Sequence, residues 1–157
     1  MRNNHLKIGF ILSMVLLFAI GCNFNFSVGV PKEPTGEELQ KLVKATLADF
    51  TEALEKDDFE GLRRKTSDAF QQKYKAEEIK SSFGNFATKK DLSIPLFKEA
   101  EKTQAEFSQK SEMRKVGENY VIETKGKFPT KSPDLNFHFE YVREDGKWKL
   151  VKFNIKT

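Results

Sequence analysis

The sequence predicts an α+β domain in which N-terminal helices pack on a curved antiparallel sheet. Three observations predict it. Apolar residues recur at three- and four-residue spacing from Leu39 to Leu54, the period of a helix with one buried face. Near Gln104 the period falls to two and stays there to the C-terminus. Asp145 and Gly146 then stand between two aromatic-rich stretches, a dipeptide suited to a two-residue hairpin loop. Helices first and strands afterwards is the α+β order.

Residues 1–21 are read as an export signal and left out of this fold. Ile8 to Ile20 carries no charge, and Arg2, His5 and Lys7 precede it. These 13 residues rise only about 20 Å as a helix, against a hydrocarbon core of roughly 30 Å. A basic start, a short apolar run and a small-residue boundary describe a signal peptide. The run ends at Cys22, the chain's single cysteine. Ala19, Ile20, Gly21 and Cys22 resemble the lipobox of bacterial lipoprotein signals. That resemblance covers the first 22 residues and implies cleavage before Cys22, a diacylglycerol on its sulfur and acylation of the new amine. Two or three chains anchor durably, at about 0.8 kcal/mol per buried methylene. The position three before the cysteine is usually leucine and here is Ala19. Ala19 and Gly21 also form a small-x-small site for ordinary signal peptidase, which would release a soluble protein. The lipobox reading places the chain outside the cytoplasm, anchored at Cys22 to the cell or outer membrane. With two membranes, Asn23 favours the outer one.

Residues 22–35 read as the lipidated N-terminus and its tether, because prolines and glycine interrupt any period. Phe24 and Phe26 either enter the lipid interface or pack on the domain. The folded domain spans 36–157. Thr35 and Glu38 form a capping box ahead of the first helix. Shorter helices follow over Phe59–Lys65, Ala69–Tyr74 and Ala76–Phe86. Leu92, Ile94, Leu96 and Phe97 suggest a short strand interrupted by Pro95. Ala105, Phe107, Ser111 and Met113 then alternate with polar residues, and Gly117 opens a turn. Tyr120, Ile122, Thr124, Gly126 and Phe128 form the next inward row, and Leu135, Phe137, Phe139 and Tyr141 the third. The last strand changes phase between Leu150 and Val151, so a bulge is expected there to keep one buried face.

Composition narrows the function classes. Arg2 and Lys7 contribute two of the four net positive charges, leaving a nearly neutral domain with no call for a polyanionic partner. The Arg63–Lys65 and Lys89–Lys90 clusters are interspersed with Glu60, Asp68 and Asp91, which describes a solvated face and no nucleic-acid partner. No disulfide framework follows Cys22. Past the signal the one histidine is His138, read as a solvated or edge residue. No metal and no cofactor are expected, and neither a nucleophile elbow nor a phosphate loop is present.

The capped helix Leu39–Leu54, the turn Lys56–Phe59 and the closing hairpin Glu144–Phe153 resemble the NTF2-like superfamily of cystatin-like cones. The resemblance spans roughly residues 36–157. It implies the cone fold, and it leaves activity open because the superfamily includes isomerase-like and dehydratase-like enzymes, carriers and binding modules. Tyr74, Tyr120, Phe137, Phe139, Tyr141 and Trp148 are the candidate pocket-lining residues. No inward strand position is acidic, so no catalytic residue is assigned. The expected role is a non-catalytic module binding an envelope protein or a small apolar ligand. The alternative is a small enzyme of the ketosteroid isomerase or dehydratase kind working in the cone pocket.

Replacing Cys22 with serine is expected to abolish metabolic lipid labelling and processing by the lipoprotein route. Unchanged retention in the membrane fraction would remove the basis for the anchor.

Overall fold

The computed structural model describes residues 30–157, so the signal, Cys22, Phe24 and Phe26 lie outside the described residues. The first helix, α1, runs Gly36–Lys56. Its start is fixed by the expected capping box, with the Thr35 N–H donating to Glu38 Oε2 at 2.7 Å and the Glu38 N–H donating to Thr35 Oγ1 at 3.3 Å. Its end is fixed at Asp57, which takes a left-handed conformation with φ 56°. Between these caps, Leu39, Val43, Leu47, Phe50 and Leu54 are buried on one stripe, the face that covers the sheet.

Four short helices follow: α2 at Phe59–Arg64, α3 at Asp68–Lys73, α4 at Ala76–Ser82 and α5 at Gly84–Thr88. Asp58 caps α2 by accepting from the Gly61 N–H at 2.7 Å, and Ser67 caps α3 by accepting from the Phe70 N–H at 3.2 Å. The single helix expected over Ala76–Phe86 is broken at Phe83, whose ψ of 23° ends α4 and starts α5.

The segment expected to hold a short strand is instead helix α6, Lys90–Lys102, with Pro95 inside it. The alternation of Leu92, Ile94 and Leu96 suggested a period of two. The buried stripe is Ser93, Phe97 and Ala100, which is helical spacing carried by small residues. Leu92 is left 67% exposed. Phe97 meets Phe50 of α1 edge to face at 5.2 Å.

The sheet has five antiparallel strands: β1 Glu106–Phe107, β2 Glu112–Val116, β3 Asn119–Phe128, β4 Leu135–Glu144 and β5 Lys147–Lys156. β1 and β2 both pair with the same strand, β3, which pairs with β4 and then β5. Gly126 on β3 is needed for this edge: a Cβ there would lie 2.2 Å from the Glu106 carbonyl oxygen. The β4–β5 loop is Asp145-Gly146 with φ of 50° and 73°, the doubly positive geometry of a twist-matched hairpin turn.

The expected bulge is present. Tyr141 faces Leu150 and Glu140 faces Lys152, so Val151 stands outside the ladder. Leu150 and Ile155 are therefore both buried despite the odd spacing between them. The Ser67 N–H donates to the Leu150 carbonyl oxygen at 2.9 Å, tying the α2–α3 junction to β5. The result is the α+β cone that the sequence predicts, helices first and a curved, unclosed sheet after. Among the described residues no helix is long and apolar enough to cross a membrane.

Phe50 sits where these layers meet. Its ring lies 4.8 Å from Phe83, 5.2 Å from Phe97 and 4.9 Å from Phe153. Phe50→Ala is expected to cost about 3–5 kcal/mol of unfolding free energy, read as a lowered urea midpoint.

Candidate functional site

The cone interior is filled. Phe139 is fully buried and stacks on Phe137 at 5.0 Å and on Phe153 at 5.2 Å. Tyr141 is buried beneath α1, and its hydroxyl lies 2.9 Å from Thr46 Oγ1. Thr46 donates to the Leu42 carbonyl at 3.0 Å, so Tyr141 is the donor in the contact between the two hydroxyls. Burial pushes the Tyr141 phenol well above its ordinary range, keeping it neutral. Besides Tyr141, the buried polar residues among those described are threonines and serines, and half-buried Glu101 keeps one carboxylate oxygen, Oε1, buried without a hydrogen-bond partner.

The candidate lining residues do not share one cavity. Tyr141 and Trp148 face a small cleft of about 170 Å³ that also includes Thr46, Asp49 and Lys65. Asp49 and Lys65 hold each other at 2.7 Å there. Phe137 reaches a second cleft, beside β1. Tyr120 stands opposite Lys115 in the β2–β3 pair and lines none of the clefts that hold Tyr74 or Tyr141. Tyr74 belongs to a separate groove, open at the rim of the cone beside β5.

That groove occupies about 300 Å³ between α3, α4 and β5, with Phe70, Tyr74, Ile79, Phe83, Val151 and Phe153 as its apolar walls. Each element places its residues for a local reason. The Ser67 cap starts α3, so Phe70 points to the core and Tyr74, the residue after the last turn, lies over it at 4.8 Å between rings. The break at Phe83 leaves its ring half-buried at the rim. The bulge turns Val151 out of the ladder and into the groove. Lys73 stands at the mouth with its ammonium 5.1 Å from the Tyr74 ring centre, and it pairs with no carboxylate among the described residues. Sequence reading assigned Tyr74 to the interior and did not single out Val151 or Phe83 for a groove. The phase change at Leu150 was the signal that could have found it, since a bulged residue leaves the pairing ladder and its side chain is free to line a hollow.

On the opposite face the sheet carries a second cluster, and it corrects the expectation for His138. The residue lies on β4, between β3 and β5, with its side chain 27% exposed, so it is neither an edge residue nor freely solvated. Cross-strand register sets Glu123 opposite Glu140 and Lys125 opposite His138. His138 Nε2 lies 2.7 Å from Glu123 Oε1 and 3.8 Å from Glu140 Oε1. The nearer contact is out of line with the ring N–H, so Nε2 is buried without a hydrogen-bond partner. These three side chains offer metal-ligand atoms within 4.8 Å of one another, a grouping that helical spacing rules could not reveal. Three cations already occupy the carboxylates. Arg114 and Lys152 each hold Glu140 at 2.9 Å, and Lys125 holds Glu123. A divalent ion would have to displace them, so the cluster is best described as an ion-pair lattice on a sheet face.

The Lys125 ammonium, more than any other neighbour, holds the Glu123 carboxyl below its usual range. Lys127 does the same for Asp134. Lys56 and then Lys65 bring Glu52 down to about 2. A carboxyl with a lowered folded-state pKa stabilises the fold above its unfolded pKa and loses that contribution as pH falls through the folded value. The urea midpoint is therefore expected to hold steady down to pH of about 4.5 and to decline below it. A midpoint unchanged at pH of about 2 would contradict these pairings. Comparison of the sequence with protein-family models returns no match, and comparison with curated proteins returns none either.

Proposed function

We propose that this protein is an exported, lipid-anchored, non-catalytic binding module that takes a small apolar ligand in the groove between α3, α4 and β5. One observation carries the reading: aromatic side chains close the interior of the cone, while an aromatic-walled groove stays open at its rim beside β5. A carrier of the interior type needs a sizeable empty cavity, and the cleft beneath Trp148 holds only about 170 Å³. The rim groove, at about 300 Å³, reaches the lower end of the size range for ligand sites. Its walls supply contact area, and Lys73 with the Tyr74 hydroxyl supplies polar groups at the mouth. An isomerase or dehydratase would need an acid free to move a proton, and Asp49 is engaged by Lys65. The anchor at Cys22 rests on the lipobox resemblance. On this reading the module sits at the cell or outer membrane, with lipid as one partner and an apolar small molecule as the other.

The test uses the neutral fluorescent probe N-phenyl-1-naphthylamine, titrated against the full chain. Saturable enhancement is expected. Val151→Glu places a charge in the groove at a position outside the strand ladder, and it is expected to weaken probe binding at least tenfold (about 1.4 kcal/mol) with the melting temperature nearly unchanged. Equal affinity in the variant would overturn the groove assignment.

A further inference from the structure

We infer that the end of the cone bearing Trp148, Lys147 and Lys32 lies against a bilayer surface carrying acidic headgroups. The inference rests on the anchor at Cys22 proposed above and on a face that the ligand groove does not include. Eight residue steps separate Cys22 from Val30, a span of at most about 29 Å when fully extended. A domain of this length has a radius of gyration near 14 Å, hence a diameter of roughly 36 Å. A lipid on Cys22 therefore holds the exit point of the tether closer to the membrane than the domain is wide.

The surface at that exit is built for such contact. Pro31, Pro34 and Leu42 wall a shallow cleft of about 390 Å³ with Trp148, and Lys32, Arg143 and Lys147 stand around it. Val30, next in the chain, is 71% exposed. The Arg143 guanidinium lies over the Trp148 ring, 5.4 Å from its centre. Among the described residues neither Arg143 nor Lys147 pairs with a carboxylate. Two acids share the cleft, Glu33 and Glu38. Glu38 is committed to the α1 cap through the Thr35 N–H. The balance is cationic, which suits acidic headgroups, and a half-exposed indole is an amphipathic ring of the kind that settles at a lipid–water boundary. A protein partner would also accept these side chains. The short tether favours lipid, because it delivers this face to the membrane without any further component.

Trp148 is the chain's single tryptophan, so its emission reports this face alone. The lipidated chain, processed at Cys22, is reconstituted in phosphatidylcholine–phosphatidylglycerol vesicles with and without brominated acyl chains. Flotation reads the anchor, and quenching by bromine reads the orientation. Emission is expected to fall at least about twofold with brominated lipid, and Lys32→Glu with Lys147→Glu is expected to restore most of it while flotation is unchanged. Floating vesicles with unquenched Trp148 would overturn the orientation and leave the anchor standing. Equal quenching in the double variant, or in vesicles lacking phosphatidylglycerol, would overturn the role of acidic headgroups. Failure of the native chain to float would overturn the anchor, and this orientation with it.

Discussion

The ring of Phe50 is the contact on which the rest of the molecule depends. It projects from the middle of α1 and meets Phe83 at the α4–α5 junction, Phe86 on α5, Phe97 on α6 and Phe153 on β5. All four encounters are edge to face or tilted, the geometries that aromatic quadrupoles favour. Elements far apart in sequence thus share one packing centre. With no disulfide framework in the domain, cohesion falls to this centre and to the aromatic rows of β4 and β5 beneath it. The same packing closes the cone, since rings that fill space for stability leave little for a substrate.

Most of the architecture was legible because it rests on local rules. The Thr35–Glu38 capping box marked the start of α1, and the apolar stripe marked its buried face. Asp145-Gly146 announced the last hairpin. The phase slip between Leu150 and Val151 announced a bulge, because a period of two cannot otherwise keep Leu150 and Ile155 on one side. Helix α6 was hidden for an equally physical reason. Its buried stripe uses Ser93 and Ala100, residues that carry little hydrophobic signal, while the conspicuous Leu92 points to water. Tertiary packing against α1 decided the outcome there, with Phe97 against Phe50.

The two surface features were less legible because both depend on register between strands. Glu123, His138 and Glu140 are scattered in the sequence and become neighbours only through the β3–β4 pairing. The groove needs three separate causes: a cap at Ser67, a break at Phe83 and an extra residue in β5. Each was visible or half visible alone. Their convergence on one hollow follows from how α3, α4 and β5 come together in the fold, and no pattern within a single element carries that information. Tyr74 and Tyr141 looked alike as inward aromatics. The structure separates them into a rim residue and a core residue.

The position of Val151 has a consequence for how such a domain can diversify. A side chain that takes no part in strand pairing can be exchanged without disturbing hydrogen bonds on either side, so its identity is only loosely coupled to whether the chain folds. Selection could therefore reshape the hollow beside it, one substitution at a time, while the scaffold stays fixed.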